Sequence, residues 1–294
     1  MQCIGILICM SKKRDLRVIN PIVIIIYLCL VVVGCNLEHS SVSSTPTPLA
    51  LAIFDHNLMK VAQLLDSGAD PNQLSSFGGT DVAVIVDYPL VWAARDTNAS
   101  AIMSVLLDHG ANPYLGVPLS AGVGYNALNG AIFSGRVESV KFLLQHGVSP
   151  DSIDQSYSSY ERTPLLAAIV ERAKFRWFES DKVFSRDSIN VMKRFESQVN
   201  KMDFGDTSSI HRFAVYDTII GLLLKYGASI SKPDVRGETP LHTAADYCDS
   251  EWAEKLINLG ASLTAKDRDS NTPEEIAEKN NCTSVIAAIR RHLK

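Results

Sequence analysis

One stretch of the sequence constrains the fold more than any other. Thr239-Pro240-Leu241-His242-Thr243-Ala244 is followed, 20 residues after its proline, by Gly260-Ala261. Weaker copies of this pattern share the proline slot, and they begin at Thr47, Tyr88, Asn126, Thr163 and Thr272. A segment that recurs with one internal spacing predicts a stack of similar units rather than a single closed core.

The hexapeptide beginning at Thr239 matches the T-P-L-H-x-A signature, so the chain resembles the ankyrin-repeat family from about Thr45 to the C-terminus. The resemblance implies an all-α solenoid of helix-turn-helix units with β-hairpin-like fingers. The predicted repeats cover residues 47–80, 87–118, 125–158, 162–232, 237–268 and 271–294, the last being a cap. Composition agrees with a folded chain, because 46% of the residues are apolar and 20% are charged.

The fourth repeat departs from the pattern. Pro164 and Gly227 are 63 residues apart, whereas the corresponding separation is 20 or 21 residues elsewhere, which predicts an insertion over residues 172–215. Apolar residues at three- to four-residue intervals predict an amphipathic helix over residues 188–203. Two compatible interpretations follow: this helix covers an outer surface of the solenoid, or it is an element that recognises one partner.

The first finger is also longer than the others. Gly78-Gly79 predicts a turn, and the run from Asp81 to Tyr88 is rich in residues that favour β-strands. Such an apolar finger either pairs with its neighbour or exposes an edge for docking.

The N-terminus has the features of an export signal. Lys12-Lys13-Arg14 and Arg17 precede an uncharged apolar run from Ile22 to Val33, which predicts a signal peptide over residues 1–34. Twelve helical residues span only about 18 Å, short of the ~30 Å hydrocarbon core, so a membrane-spanning helix is disfavoured. Met10 is an alternative start, because it would bring the basic cluster to the N-terminus.

Val32-Val33-Gly34-Cys35 resembles a bacterial lipobox, which implies that Cys35 becomes an acylated first mature residue. An unlipidated signal peptide and an uncleaved anchor are the alternatives. By resemblance to enteric lipoproteins, the absence of Asp at Asn36 favours the periplasmic face of the outer membrane over the inner membrane. The Ser/Thr-rich residues 35–46 are predicted to form a short tether.

Motifs for catalysis are missing from the sequence. It contains no G-x-S-x-G, H-E-x-x-H, P-loop or paired C-x-x-C, so no catalytic residue, metal ligand or cofactor is predicted. An activity within residues 172–215 is the enzymatic alternative. The net charge of −4, without a run of Lys or Arg, argues against nucleic acid as a partner. His242 occupies the histidine slot of the signature and is expected to form a hydrogen bond within its repeat.

Two cysteines follow Cys35. Cys248 and Cys282 lie eight and nine residues after Pro240 and Pro273, near the inner turns of successive repeats. Packed helices lie about 10 Å apart, whereas a disulfide requires Cα atoms within ~7 Å. The spacing therefore argues against a disulfide, although an exported protein could form one.

The resemblance also implies a binding surface. In ankyrin proteins, the residues six and seven positions after the proline slot end the inner helix and face a concave groove. Here they are Phe54, Asp55, Arg95, Asp96, Phe133, Ser134, Val170, Glu171, Asp246 and Tyr247, and the residues before the cap glycines join them: His109, His146 and Tyr226. Aromatic residues interleaved with acids suit a protein partner with a basic or mixed patch. The same positions also form the turn, so each residue has a structural alternative.

Together these features predict a lipid-anchored periplasmic module that binds another protein. A sharper hypothesis is an immunity protein that neutralises a secreted toxin, such as a phospholipase effector of type VI secretion. The alternatives are a periplasmic helper that stabilises an envelope enzyme such as a catalase, and a structural lipoprotein.

Overall fold

The computed structural model describes residues 46–77, 85–97, 99–116, 125–153, 162–179 and 209–293. These residues all belong to one compact unit, Ser43–Lys294. The predicted signal peptide, Cys35 and the helix predicted over residues 188–203 lie outside the described residues.

Six helix pairs follow one another in the described part of the chain, each made of an inner and an outer helix. The inner helices are α1 Pro48–Phe54, α3 Pro89–Arg95, α5 Ala127–Phe133, α7 Pro164–Glu179, α9 Pro240–Asp246 and α11 Pro273–Lys279. The outer helices are α2 Leu58–Asp66, α4 Ser100–Asp108, α6 Val137–Gln145, α8 Ser209–Lys225, α10 Ser250–Asn258 and α12 Thr283–His292. The fold is therefore the predicted all-α solenoid.

The inner helices begin at the predicted proline slots. Proline suits the first helical position, because its missing N–H would have no partner there in any case. The preceding side chain completes the cap: Thr47 Oγ1 accepts a hydrogen bond from the Ala50 N–H at 3.1 Å. In α5, where alanine replaces proline, Asn126 Oδ1 accepts from the Asn129 N–H at 2.9 Å. The slot thus specifies a helix start even without proline.

His242 forms the hydrogen bond that its position predicted. The Thr239 backbone N–H donates to His242 Nδ1 at 3.2 Å, which makes Nδ1 the acceptor and Nε2 the protonated nitrogen. His242 Nε2 in turn lies 3.1 Å from the carbonyl oxygen of Asn271 in the next repeat. The ring is fully buried, and burial lowers its pKa. A neutral imidazole therefore links the fifth and sixth repeats.

Glycine ends the outer helices that lead into fingers, as predicted. Its φ angle lies between 80° and 93° at Gly68, Gly110, Gly147, Gly227 and Gly260. This left-handed region carries no steric penalty for glycine. The inner turns use the same region with other residues, since His56 and Cys248 have φ of 54° and Asn281 has φ of 58°.

The fourth repeat is built from longer helices. Helices α7 and α8 have 16 and 17 residues, whereas α5 and α6 have 7 and 9. Helix α7 continues through the position at which the other inner helices turn. Residues 172–179 and 209–215 of the predicted insertion are therefore extensions of the two repeat helices, and we call them the helical arm.

The first finger contains a short hairpin. Strand β1, Ser75–Phe77, pairs antiparallel with β2, Ile85–Asp87, and Ser76 lies opposite Val86. The β-rich run was predicted either to pair with a neighbouring finger or to expose an edge. In the structure its strand pairs within the same finger, while residues 78–84 lie outside the described residues.

The core is shared by all the repeats. The leucine runs of the outer helices contribute Leu106, Leu143 and Leu223, which have no exposed surface. Burying a leucine side chain stabilises a fold by about 1.5–3 kcal/mol. These side chains belong to one continuous apolar cluster that runs from the first helix pair to the last. Each repeat therefore depends on its neighbours for burial, as the repeat pattern predicted.

The structure corrects the expectation for the cysteines. Cys248 and Cys282 form a disulfide, with their Cα atoms 5.0 Å apart. The expectation used the distance between helix axes, but both residues lie in the inner turns rather than on facing helix surfaces. The turns of neighbouring repeats approach more closely than the helices, since Cys282 Sγ also lies 3.3 Å from the carbonyl oxygen of Ala245.

Candidate functional site

Most of the predicted groove residues lie at the ends of the inner helices. Phe54, Arg95, Phe133 and Asp246 are the last residues of α1, α3, α5 and α9, and the residue after each caps that helix. The fourth repeat differs, because α7 continues past Val170 and Glu171 to Glu179. The predicted positions therefore share one row in four repeats, and they fall within a longer helix in the fourth.

The first repeat exposes its groove residues. The side chain of Phe54 is 61% exposed, and Asp55 beside it is also exposed. His56, in the turn that follows, places Nδ1 3.2 Å from Asp96 Oδ2 in the second repeat. Asp96 thus connects two repeats, whereas Phe54 and Asp55 are exposed on the surface of the first repeat.

Arg95 is held within the solenoid. Its guanidinium donates to Asp87 Oδ2 at 3.3 Å, and its side chain is only 11% exposed. Its carbonyl oxygen accepts a hydrogen bond from Arg136 Nε at 3.0 Å. Because the charge of Arg95 is paired with β2, this residue supports the junction between the second and third repeats.

An aromatic pair marks the third repeat. The rings of Tyr125 and Phe133 lie 4.9 Å apart, and Lys174 Nζ lies 5.8 Å from the Phe133 ring centroid. Tyr216 donates its hydroxyl proton to the Phe133 carbonyl oxygen at 3.3 Å. Such pairs of rings are worth about 0.5–1.5 kcal/mol beyond their buried area. Phe133 is half-buried, so part of its ring is available to a partner.

Two predicted residues do not reach the surface. Val170 is 1% exposed and Ser134 is 7% exposed, so the structure corrects the expectation that their side chains face a groove. Val170 lies within α7, which continues to Glu179 and packs against α8 and α9. Ser134 is buried in the inner turn of the third repeat.

The junction between the fourth and fifth repeats concentrates acidic groups. Glu171, whose side chain is 12% exposed, has a pKa raised by burial despite its ion pair with Lys174. Burial also raises the pKa of the half-buried Tyr247, with further raising contributions from Asp246 and Glu171. Glu238 is a second carboxyl group whose pKa is raised by burial. Arg162 lowers all three of these pKa values, so positive charge already lies among the acids, and a partner with a basic or mixed patch would complement this junction.

Three of the predicted residues form a separate row. His109 and His146 cap the C-terminal ends of α4 and α6, and Tyr226 directly follows α8. An outer helix of nine residues is about 13 Å long, and it starts at the inner turn and runs away from it. The structure therefore does not bring these residues together with the ends of the inner helices.

His109 illustrates the role of that row. Its Nδ1 lies 2.8 Å from the Val105 carbonyl oxygen and its Nε2 lies 3.1 Å from Asp66 Oδ1 at the end of α2. The hydrogen bond to Val105 and the one to Asp66 raise the pKa of the imidazole. His146 repeats the first bond, with Nδ1 2.8 Å from the Phe142 carbonyl oxygen. The bonds to Val105 and Phe142 close the ends of α4 and α6, and the contact with Asp66 connects α4 to α2.

The sequence did not indicate a cluster of charges around the buried Arg172. Arg172 is 4% exposed on its side chain, and its guanidinium contacts three carboxylates. The distances are 2.7 Å to Asp217, 2.5 Å to Asp249 and 2.6 Å to Glu251. Arg172 lies eight residues after Pro164, at the position where the other inner helices turn. The signal for this cluster in the sequence was therefore a charged residue within an uninterrupted helix. Its partners are too distant in sequence for spacing to reveal them.

Other kinds of site find no support among the described residues. Within them, no group of three or more His, Cys, Asp or Glu side chains could hold a metal ion. None of the described helices is long and apolar enough to cross a membrane.

Comparisons with known proteins agree with this architecture. A family model described as ankyrin repeats (3 copies) matches residues 49–154, and a model described as ankyrin repeats (many copies) matches residues 223–277. Together the two matches cover more than half of the chain. They fall on either side of the helical arm.

Individual relatives are similar over part of their length. The human SH3 and multiple ankyrin repeat domains protein 2 is 28% identical over 228 residues, which make up 76% of this chain and 11% of that protein. An L-asparaginase from Dirofilaria immitis is 26% identical over 171 residues, 58% of this chain and 27% of that protein. The human protein phosphatase 1 regulatory subunit 27 is 39% identical over 59 residues, 20% of this chain and 38% of that protein.

The chain thus spans well under two thirds of each of these relatives. Their likeness concerns the repeats, in agreement with six helix pairs that start at proline slots, of which the first five end at left-handed glycines. The repeats imply a module for protein–protein interaction. The chain belongs to the ankyrin-repeat family.

Proposed function

We propose that this protein is exported, anchored to the membrane through acyl chains on Cys35, and binds another protein of the bacterial envelope. The proposal that this protein binds a partner rests on the acidic junction between the fourth and fifth repeats. There the half-buried ring of Tyr247 lies near Asp246 and Glu171, and Arg162 forms a hydrogen bond with its hydroxyl group. A partner that offers a basic or mixed patch around an apolar anchor would match this surface.

The disulfide supports the export half of the proposal. Cys248 and Cys282 are the two cysteines that follow Cys35 in the chain, and they pair with each other. Disulfides persist in oxidising compartments such as the bacterial periplasm and are rare in the cytosol. A cysteine whose sulfur is acylated would leave this pairing undisturbed.

The mechanism is stoichiometric occlusion rather than turnover. The partner is held by shape and charge at the ends of the inner helices, while the helical arm beside the acidic junction restricts which proteins fit. We propose that the partner is a toxin delivered to the envelope, and that this protein confers immunity by covering the toxin. An anchor would keep the complex next to the membrane that a phospholipase toxin attacks.

Labelling tests the anchor. Cells that express the full chain are grown with radioactive palmitate, and label is expected in the wild-type protein and absent from Cys35→Ala. A thiol-reactive polyethylene glycol added to the same lysates should modify Cys248 and Cys282 only after reduction. Unlabelled wild-type protein, or free thiols before reduction, would contradict the proposed export route.

Partner capture tests recognition. The full chain is used as bait, and bound proteins are compared with the products of neighbouring genes, among which a toxin is expected. Asp246→Lys should weaken the complex at least about tenfold, because it reverses a charge at the acidic junction. Glu138→Lys on the outer helix α6 is the matched control, and it should leave binding unchanged. An envelope enzyme as the captured partner would favour the role of helper instead.

A further inference from the structure

The inner turn of the fifth repeat carries a cysteine directly after two residues of the acidic junction. Asp246 ends α9 and is exposed, Tyr247 caps that helix and is half-buried, and Cys248 follows with a φ angle of 54°. Consecutive Cα atoms lie about 3.8 Å apart, so a bond to the side chain of Cys248 restrains the backbone of Tyr247. The disulfide therefore lies beside the surface on which the proposed recognition rests.

The same turn position in other repeats shows why a link is used here. A left-handed φ at a residue other than glycine needs support from its surroundings, because the side chain crowds the backbone. The third repeat has Gly135 at this position, with φ of 64°. The first repeat has His56, which has the same φ as Cys248, and its Nδ1 lies 3.2 Å from Asp96 of the second repeat. Cys248 is bonded to Cys282 of the sixth repeat. In both turns the side chain that replaces glycine is a link to the next repeat.

A second contact from the sixth repeat reaches the acidic residue itself. The side-chain amide of Asn280 donates to Asp246 twice, to the carbonyl oxygen at 3.0 Å and to Oδ1 at 2.9 Å. Asn280 lies two residues before Cys282, so the amide and the disulfide approach the fifth repeat from one turn. Together they hold the residues on both sides of Tyr247.

Other junctions hold the same backbone group. Arg136 Nε donates to the Arg95 carbonyl oxygen at 3.0 Å, and Tyr216 donates its hydroxyl proton to the Phe133 carbonyl oxygen at 3.3 Å. Each bond fixes the end of an inner helix from the following repeat. Asn280 adds a bond to an exposed carboxylate, so at the fifth repeat a side chain of the candidate binding surface is itself positioned.

We propose that the disulfide between Cys248 and Cys282 makes recognition by this protein dependent on oxidation. Together with Asn280 it fixes Tyr247 and Asp246 in the arrangement that a partner contacts. The inference rests on the proposed function, in which the partner binds at the acidic junction. Two thiols form the bond by giving two electrons and two protons to a thiol–disulfide oxidase of an oxidising compartment. The binding surface is therefore completed after export, and the reduced chain binds its partner weakly.

Chemical modification of Tyr247 tests the positioning without a partner. The purified full chain is treated with N-acetylimidazole, which transfers its acetyl group to accessible tyrosine hydroxyls, and acetylation is quantified for each tyrosine by mass spectrometry. Dithiothreitol supplies two electrons and two protons and becomes a cyclic disulfide, and it is expected to speed acetylation of Tyr247 several-fold. Tyr226, which is also half-buried and directly follows α8, should react at an unchanged rate. An unchanged rate for Tyr247 after complete reduction would overturn the proposal.

Two variants separate the bond from general effects on stability. Cys248→Ser with Cys282→Ser should acetylate at Tyr247 like the reduced protein, and dithiothreitol should change it no further. Leu106→Ala keeps the bond but leaves a cavity in the core of the second repeat, so its denaturation midpoint should fall. Its acetylation at Tyr247 should match the wild type. Faster acetylation in Leu106→Ala would contradict a specific effect of the disulfide.

Recognition is measured with the envelope protein that the wild-type chain captures and Asp246→Lys does not. The double serine variant should bind that protein at least about tenfold more weakly, whereas Leu106→Ala should bind it normally. Asn280→Ala should also weaken binding, because it frees the carboxylate of Asp246. Normal binding by the double serine variant would overturn this inference alone. If Asp246→Lys loses no captured protein, the proposed function fails, and acetylation of Tyr247 still decides whether the bond holds the surface.

Discussion

Two neighbouring junctions of the solenoid are held at the same place by different chemistry. Between the fourth and fifth repeats, Arg172 contacts Asp249 at 2.5 Å, and between the fifth and sixth, Cys248 is bonded to Cys282. Arg172 and Cys248 each lie eight residues after their prolines, whereas Asp249 and Cys282 each lie nine residues after theirs. The turn of one repeat therefore meets the start of the next outer helix at a fixed point. That point accepts a buried ion pair or a covalent bond.

The two junctions should respond to different agents. The ion pairs between a buried guanidinium and three carboxylates are shielded from salt. Their contribution to stability depends on the protonation of the carboxylates. A disulfide depends on the redox conditions of the compartment. Perturbing each junction separately therefore separates their contributions to the stability of the solenoid.

The largest effect is expected at Arg172. Arg172→Met removes the positive charge and leaves Asp249, which has no exposed side-chain surface, without its counter-ion. Breaking a buried pair in this way costs about 3–5 kcal/mol of unfolding free energy. Urea denaturation of the full chain measures the loss. Adding Asp249→Asn, which can still cap α10, should recover part of the stability, and a double variant that is less stable than Arg172→Met would contradict the role of the charge.

The disulfide should contribute somewhat less. Cys248 and Cys282 are 34 residues apart in sequence, and closing a loop of this size stabilises a fold by about 2–4 kcal/mol. Cys248→Ser and reduction of the wild-type protein should therefore lower the denaturation midpoint by similar amounts. Reduction of Cys248→Ser is the control and should have no further effect. Equal midpoints for oxidised and reduced wild-type protein would show that the bond does not stabilise the junction.

Acidification should weaken the junction between the fifth and sixth repeats before it weakens the junction between the fourth and fifth. His242 is neutral in the folded protein, with a pKa lowered by burial, so the unfolded chain binds more protons as the pH falls below about 6.5. Stability is therefore lost as the pH falls from about 6.5 towards the folded pKa. The hydrogen bond from Lys255, together with that from Arg172, keeps the pKa of Glu251 below its usual value. The contribution of Glu251 is thus retained until the pH falls below about 4.5.

Hydrogen exchange measured at two pH values separates these responses. Amides of α12 should exchange faster at pH 5.5 than at pH 7 after correction for intrinsic rates, whereas those of α8 and α10 should change little. His242→Gln keeps a capping residue at that position and should remove the difference. Uniform acceleration across the helices would contradict a local effect of His242.

The smallest effect is expected at the exposed counterpart of Arg172. Arg290 also contacts two carboxylates, Glu274 and Glu278, but its side chain is 57% exposed. Exposed pairs of this kind contribute little, and salt screens them. Arg290→Met should leave the denaturation midpoint unchanged within error. A shift comparable to that of Arg172→Met would show that burial does not explain the difference between the two arginines.

Much of this fold is predictable from local sequence. Proline and threonine specify helix starts through backbone geometry and capping, and Gly68 or Gly260 specifies helix ends through a left-handed φ. These effects act within a few residues, so a single sequence contains them. His242 belongs to the same class, since its capping bond to Thr239 is three residues away.

The groove and the junctions were less predictable, because they depend on contacts between repeats. Val170 is buried since α7 continues where the pattern indicated a turn, and spacing alone could not show that the insertion extends both helices. The cysteine pair was misjudged because helix-axis distances do not describe the closer approach of turns. Arg172 finds its partners 45 to 79 residues away, beyond any local pattern.

The two contacts of Asp249 also affect the order in which the repeats assemble. Its carboxylate accepts the Trp252 backbone N–H that begins α10, and it also receives Arg172 from α7. In a linear stack, the free energy is a sum of intrinsic terms and nearest-neighbour terms. The carboxylate of Asp249 contributes to both kinds of term, because it starts α10 within the fifth repeat and neutralises Arg172 of the fourth. Helix initiation and charge neutralisation therefore form a single cooperative step. A chain that ended before α9 would leave Arg172 with Asp217 alone of its three carboxylate partners.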